Sequence, residues 1–151
     1  MKRAMAVVIC LSLALLGGAV GLAAESETSV LIKIPFAFHA GRQQMPAGQY
    51  WVEMPNDRGF ATGSLVKIVS SDGEQCTALL STPNGRSRGD SDYHLIFNKY
   101  GDDYFLSNVR TGEFGADLPR SALEKRMSAE YAKGTAAAAT IEMIVKPAKV
   151  K

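Results

Sequence analysis

Apolar residues recur at every second position from Val30 onward, and this alternation restricts the chain to β structure. The residues on the predicted apolar face are Val30, Ile32, Ile34, Phe36 and Phe38. Successive side chains of a strand point to opposite sides, so a period of two is typical of a strand with one buried face. Pro35 lacks an N–H, which favours an edge strand or a break in pairing here.

Short runs of the same kind continue along the chain, separated by Gly, Asp and Asn. Further strands are predicted over 49–54, 65–69, 75–81, 93–98 and 104–109, with a last one carrying Ile141, Met143 and Val145. Ser71 to Gly73 has the composition of a hairpin turn. The spacing predicts a mainly β fold, a small antiparallel barrel or sandwich of six to seven strands.

One helix is predicted before the last strand. Ser121 is a good N-cap, and Glu124 three residues later completes a capping-box pattern. Gly134 ends the helix. The predicted apolar stripe, which should pack on the sheet, consists of Leu123, Met127 and Tyr131.

The N-terminal segment has the composition of a secretory signal peptide. Lys2 and Arg3 precede an apolar run over 4–22 that ends in small residues. We expect residues 1–24 to be the signal peptide, cleaved after Ala23 or Ala24, and 25–151 to be one β-rich domain. An uncleaved anchor is the alternative, because the run is long enough to cross a bilayer. Export predicts a periplasmic or extracellular location, with no membrane span after cleavage.

Charge and cysteine count change when the leader is removed. The chain has 17 Lys and Arg against 15 Asp and Glu, and two of the basic residues, Lys2 and Arg3, lie in the leader. The remainder is formally neutral, which excludes a basic nucleic-acid footprint. Cys76 is then alone and forms no intramolecular disulfide. Its strand pattern predicts a buried, inert thiol, with an intermolecular disulfide as the alternative.

Four motifs occur in order: "IPFAFHAG", "MPAGQYWVE", "FNKYGDDYFLSNV" and "LPRSALEKRMSAEYAK". Together they resemble a family of small secreted bacterial proteins frequent in acidobacteria. The resemblance implies secretion and a small β-rich fold, and it carries over no catalytic residue. Ala37 stands where the family often has Asp, so no role rests on an acid at that position.

The stretch from Ile34 to Glu53 is interpreted as strand, turn and strand, without a site. In the turn, Gly48 is expected to supply a positive φ after Pro46. Tyr50 and Trp51 are neighbours on a strand, so one of them faces inward and the other outward.

Two short motifs imitate functional sites. "YGDD", from Tyr100 to Asp103, resembles the metal-binding hairpin of RNA-dependent polymerases, but a polymerase needs a further carboxylate and a far larger domain. Ordinary hairpin chemistry explains it. "RGDS", from Arg88 to Ser91, contains an adhesion tripeptide that recurs by chance.

The candidate site residues are Asp90, Asp92 and His94. They alternate along the chain, so one strand face would carry two carboxylates and an imidazole, which can ligate a transition metal. The competing interpretation is a loop that enters a strand with its polar residues in water.

The sequence therefore predicts a secreted or periplasmic, non-catalytic binding protein with no cofactor. Its partner is expected to be a small apolar ligand or an envelope component rather than nucleic acid. The alternatives are a metal-binding protein or enzyme that uses Asp90, Asp92 and His94, and a structural component of the cell envelope.

Overall fold

The computed structural model describes residues 28–54, 64–85, 92–111, 115–134 and 137–145. The predicted signal peptide and its cleavage site lie outside these ranges. The described elements are ten strands and one helix: β1 (Thr28–Ile34), β2 (Phe38–Ala40), β3 (Gln43–Met45), β4 (Gly48–Met54), β5 (Ser64–Ser70), β6 (Cys76–Pro83), β7 (Tyr93–Tyr100), β8 (Asp103–Arg110), β9 (Gly115–Asp117), α1 (Ala122–Lys133) and β10 (Ala139–Val145).

The strands confirm a mainly β fold with one helix before the last strand. They form an open sheet in two layers rather than a closed barrel. The first layer has the order β1-β4-β5-β6. The second is built on β8, which pairs with β7 on one side and with β2 and β9 on the other; β10 extends β7 and β3 extends β2. Pairing of β6 with β9 joins the layers.

A bent hairpin over 28–54 contributes strands to both layers. Ile34 pairs with Gly48 before the bend, and Phe38 pairs with Met45 after it. Pro35 lies at the bend, where a missing N–H removes no ladder hydrogen bond. It splits the first predicted strand into β1 and β2. The three-residue strands β3 and β9 are too short to show a period, so the ten strands exceed the predicted six to seven.

Aromatic side chains fill the space between the layers. The ring of Phe38 meets Tyr50 and Phe97 edge-on, at centroid distances of 5.3 and 5.6 Å. Phe36 stacks on Tyr104 at 4.1 Å. The prediction that Phe36 and Phe38 belong to the core is confirmed, since Phe38 is fully buried and Phe36 packs against the same cluster. Such edge-on and offset contacts add to the stabilisation from area burial alone.

The predicted turn geometry around Pro46 is wrong. Gly48 does not have a positive φ; it is the first residue of β4, and the ring of Tyr50 lies 3.5 Å from where its Cβ would be. The positive φ of this hairpin belongs to Gly41, at +61°, between β2 and β3. Beyond the bend at Pro35 and Pro46, the chain continues as the short paired strands β2 and β3. The tight turn therefore lies at the tip of the hairpin, between these two strands.

The helix begins as predicted but is rotated from the predicted orientation. The Ser121 hydroxyl accepts from the Glu124 N–H at 3.1 Å, which confirms the N-cap. The Glu124 carboxylate instead accepts from Asn98 Nδ2 at 2.8 Å, so only half of a capping box forms. Glu124 is buried and Leu123 is exposed, contrary to the predicted stripe, whereas Met127 and Tyr131 are half-buried and Tyr131 meets Tyr100 as the stripe predicts. The half-buried amide of Asn98 on β7 therefore determines which face of α1 meets the sheet.

Candidate functional site

Of the three proposed metal ligands, two lie among the described residues. Asp90 lies outside them, Asp92 lies just before β7, and His94 is on β7. His94 Nδ1 lies 2.8 Å from Glu142 Oε1 on the neighbouring strand. Within the described ranges, no group of three or more His, Cys, Asp or Glu side chains is placed to hold a metal ion. The four residues of "RGDS" also lie outside those ranges.

The "YGDD" segment is the hairpin between β7 and β8. Gly101 has a φ of +63°, as its place in a tight turn predicts. Tyr100 is buried against Tyr131 of α1. Asp102 is exposed, while Asp103 lies 3.5 Å from His39 Nε2. The two carboxylates have different surroundings, and the hairpin supports the helix.

The outer face of the second layer carries a polar cluster beneath α1. The buried Glu124 carboxylate accepts from Asn98 and lies 3.8 Å from Arg120 Nε. On the same face, Phe105 of β8 is the cross-strand partner of Asn98, and His39 of β2 stacks on Phe105 at 4.6 Å. No buried side-chain N or O in the described part of the chain lacks a hydrogen-bond partner. A cluster whose polar groups are satisfied in this way fixes the position of the helix.

The outer face of the first layer is different, because large apolar side chains are exposed on it. We call this surface the tryptophan face; it consists of Leu31, Trp51, Leu65, Val69, Cys76, Ala78 and Leu80. Its main row crosses all four strands, and the register places Leu31 beside Trp51, Trp51 beside Val69, and Val69 beside Cys76. Trp51 is 41% exposed and Leu80 is 70% exposed.

Two charged residues that lie beside the tryptophan face, Glu53 and Lys67, bond to each other, and the exposed Lys33 lies on the same side of β1. Lys67 Nζ donates to Glu53 Oε2 at 2.8 Å, and the two residues are cross-strand partners. Their row separates the main row from the second apolar pair, Leu65 and Leu80, which are partners between β5 and β6. The surface therefore offers apolar contact area around the Glu53–Lys67 ion pair.

Cys76 lies at the β6 end of the main row and is exposed. The prediction of a buried, inert thiol is wrong. Residues of β6 that point outward alternate with those that point inward, and the register with β5 assigns Cys76 to the outward set.

A partial signal for this surface is present in the sequence. Leu79 and Leu80 are adjacent, as are Leu65 and Val66, so each strand must present an apolar residue on both sides. The sequence could not decide between Tyr50 and Trp51. The structure buries Tyr50 at 1% exposure and turns Trp51 outward.

No family model, curated protein or solved structure matches the chain. Among the described residues, no helix has both the length and the apolar character needed to span a membrane. The function must therefore be inferred from the chemistry of the surface itself.

Proposed function

We propose that the chain is an exported, non-catalytic binding protein, and that its tryptophan face binds an apolar surface of a protein partner in the cell envelope. The observation that carries the proposal is the row of Leu31, Trp51 and Val69 on a four-stranded layer, in which Leu31 and Trp51 are exposed and Val69 is half-buried. Tryptophan and leucine exposed side by side are unfavourable in water, and contiguous exposed apolar area is typical of an interaction site.

The composition of the face supports a protein partner. Tryptophan is enriched among the residues that dominate binding energy, and such residues are surrounded by contacts that exclude water. Glu53 and Lys67 already neutralise each other, so a partner would bury them without leaving an unpaired charge.

A macromolecular partner is favoured over a small apolar ligand inside the fold. Between the layers, Phe38 contacts both Tyr50 and Phe97 directly. These rings occupy the apolar space that a ligand would need, whereas the tryptophan face offers area that is already exposed.

The test is site-specific photo-cross-linking in cells that express the chain from its full coding sequence. A cross-linking residue replaces Gln49, which is exposed two positions before Trp51 on the same strand. The control replaces Asp102, which is exposed on the β7–β8 hairpin. We expect a discrete envelope-protein adduct from position 49 only.

A pair of substitutions then tests the role of the face. Trp51→Ser should abolish the adduct, whereas Leu123→Ser, at a similarly exposed leucine on α1, should leave it unchanged. The chain contains one tryptophan, so its emission should also shift to shorter wavelength when the purified partner is added. An adduct that persists in Trp51→Ser would contradict the proposal.

A further inference from the structure

Strand β1 forms one edge of the first layer and has features that natural edges usually avoid. It is seven residues long and pairs with β4 without a bulge, and no other described strand pairs with it. Natural edge strands are commonly short, bulged or covered, or they carry proline or lysine; of these features β1 has one, the exposed Lys33 near its end. Alternate N–H and C=O groups of β1 therefore point away from β4, toward a position that a further strand could fill.

We propose that β1 pairs antiparallel with β1 of a second copy of this chain, about a two-fold axis at Leu31. This proposal does not depend on the partner proposed for the tryptophan face. The axis at Leu31 pairs all seven residues and keeps the buried residues of both copies on one side. Val30 then lies opposite Ile32 of the second copy, and Leu31 lies opposite its own counterpart.

The two-fold register also joins apolar surfaces. Leu31 is the edge member of the row that continues through Trp51 and Val69. Pairing at Leu31 extends this row across both copies. Cross-strand apolar pairs of this kind stabilise antiparallel sheets.

Charge and the length of β1 favour this register over an axis at Lys33 or at Ile32. With the axis at Leu31, Lys33 lies opposite Ser29 of the second copy, so no like charges meet. A shift that moved the axis to Lys33 would place two lysines opposite each other, which is unfavourable. A shift of the axis to Ile32 would place Lys33 opposite Leu31 and would leave part of the strand unpaired.

The other long edge does not suit self-pairing. Strand β10 is also seven residues long and pairs with β7 only among the described strands. An axis at its central residue would place Glu142 opposite its counterpart in the second copy. Two carboxylates directly opposite each other disfavour association. Edge β3 has three residues, too few for a stable pairing.

The test exploits the fact that a residue on the two-fold axis meets its own counterpart. Leu31→Glu and Leu31→Lys each place two like charges opposite each other, so each variant alone should dimerise at least about tenfold more weakly than wild type. An equimolar mixture of the two variants should form a heterodimer, because a carboxylate of one copy then meets an ammonium group of the other at the axis. Sedimentation over a concentration series measures all three. Leu31 is 40% exposed, so both variants should keep the monomer fold, which circular dichroism checks.

Leu80→Glu and Leu80→Lys are the matched controls. Leu80 is more exposed than Leu31 but lies on β6, three strands from the edge. These variants should dimerise like wild type, and their mixture should show no preference for the heterodimer. Wild type that stays monomeric at every concentration would overturn the proposal. Leu31 variants that each dimerise like wild type would also overturn it, as would a mixture of them that dimerises no more strongly than each variant alone.

Cys76 offers an independent check. In the proposed dimer the two Cys76 positions are seven strand spacings apart, roughly 34 Å, so they cannot form a disulfide with each other. Dimerisation should therefore be unchanged by a reducing agent. A dimer that reductant dissociates would identify Cys76 pairing, and not β1 pairing, as the contact. Loss of the envelope adduct in Trp51→Ser is a separate result, so failure of either proposal leaves the other testable.

Discussion

At the scale of single residues, Tyr50 connects the core to the bend of the long hairpin. Its ring packs against Phe38, and its hydroxyl donates to the Pro46 carbonyl at 2.5 Å. Burial, and to a smaller extent the negative charge of Asp72, raise the pKa of Tyr50 above its usual value of 10.0. Burial also raises the pKa of Tyr93.

These shifts predict a loss of stability in alkali. Below about pH 10 both tyrosines are neutral in the folded and the unfolded chain, and their contribution to the free energy of unfolding is fully present. Above that pH the unfolded chain releases the tyrosine protons while the folded chain retains them, so stability falls as pH rises through the folded pKa values. Urea unfolding midpoints measured from about pH 8 to 11 should show this fall.

Tyr50→Phe should flatten that dependence and lower stability at neutral pH by about 1 kcal/mol, from the lost hydrogen bond to Pro46. Tyr93→Phe is the comparison, since it removes the second tyrosine whose pKa is raised. If the variant that carries both Tyr50→Phe and Tyr93→Phe still loses stability with rising pH as steeply as wild type, other groups cause the loss of stability in alkali.

Gly101 is a second position where backbone geometry decides the outcome. Its φ is +63°, and a Cβ there would lie 2.5 Å from the Tyr131 hydroxyl oxygen. Gly101→Val should cost about 1–3 kcal/mol from strain. Asp102→Asn, at the exposed next residue, should change the free energy of unfolding by less than about 0.5 kcal/mol. A fully stable Gly101→Val protein would show that the hairpin can relax away from α1.

At the scale of elements, local chemistry determined what the sequence could predict. The β alternation and the start of α1 at Ser121 depend on neighbouring residues alone, and both were predicted. The burial of Glu124 depends on Asn98, which is 26 positions away, so no local pattern reveals it. The outward position of Trp51 likewise follows from the pairing of β4 with β1 and β5.

The N-cap of α1 gives a direct test at this scale. Ser121→Ala removes the acceptor of the Glu124 N–H and should lower stability by about 1 kcal/mol. Ser121→Asp keeps a capping acceptor and should stay close to wild type. Thermal unfolding followed by circular dichroism measures both. Equal effects of the two substitutions would mean that the cap hydrogen bond contributes nothing.

The buried carboxylate of α1 gives a second test. Glu124→Leu leaves the Asn98 amide without its acceptor, so we expect a loss of about 1–3 kcal/mol despite the greater apolarity of leucine. Glu130→Leu, on the exposed side of the same helix, should stay within about 0.5 kcal/mol of wild type. Denaturant titration compares them. A Glu124→Leu variant as stable as wild type would indicate that water replaces the carboxylate as the acceptor of the Asn98 amide.

At the scale of the whole molecule, two connections within the described residues couple the layers. The hairpin over 28–54 has strands in both, and β6 passes from one layer to its pairing with β9 in the other. At this second junction, Asp117 accepts hydrogen bonds from Asn84 and from the buried Asn108. Because the layers share both a core and these connections, they should unfold in one cooperative transition.

The single tryptophan and the single described helix allow this coupling to be measured. Trp51 emission reports on the first layer, and helical circular dichroism reports on α1, which packs on the second. The two signals should have the same urea midpoint in wild type. Asp117→Ala removes the acceptor shared by Asn84 and Asn108 and should lower stability by about 1–3 kcal/mol, mainly because the Asn108 amide is left buried without its partner. Both midpoints should fall together, whereas Asp102→Ala should move neither. A tryptophan transition that precedes the helical one would show that the layers unfold separately, with the β6–β9 junction as the boundary between them.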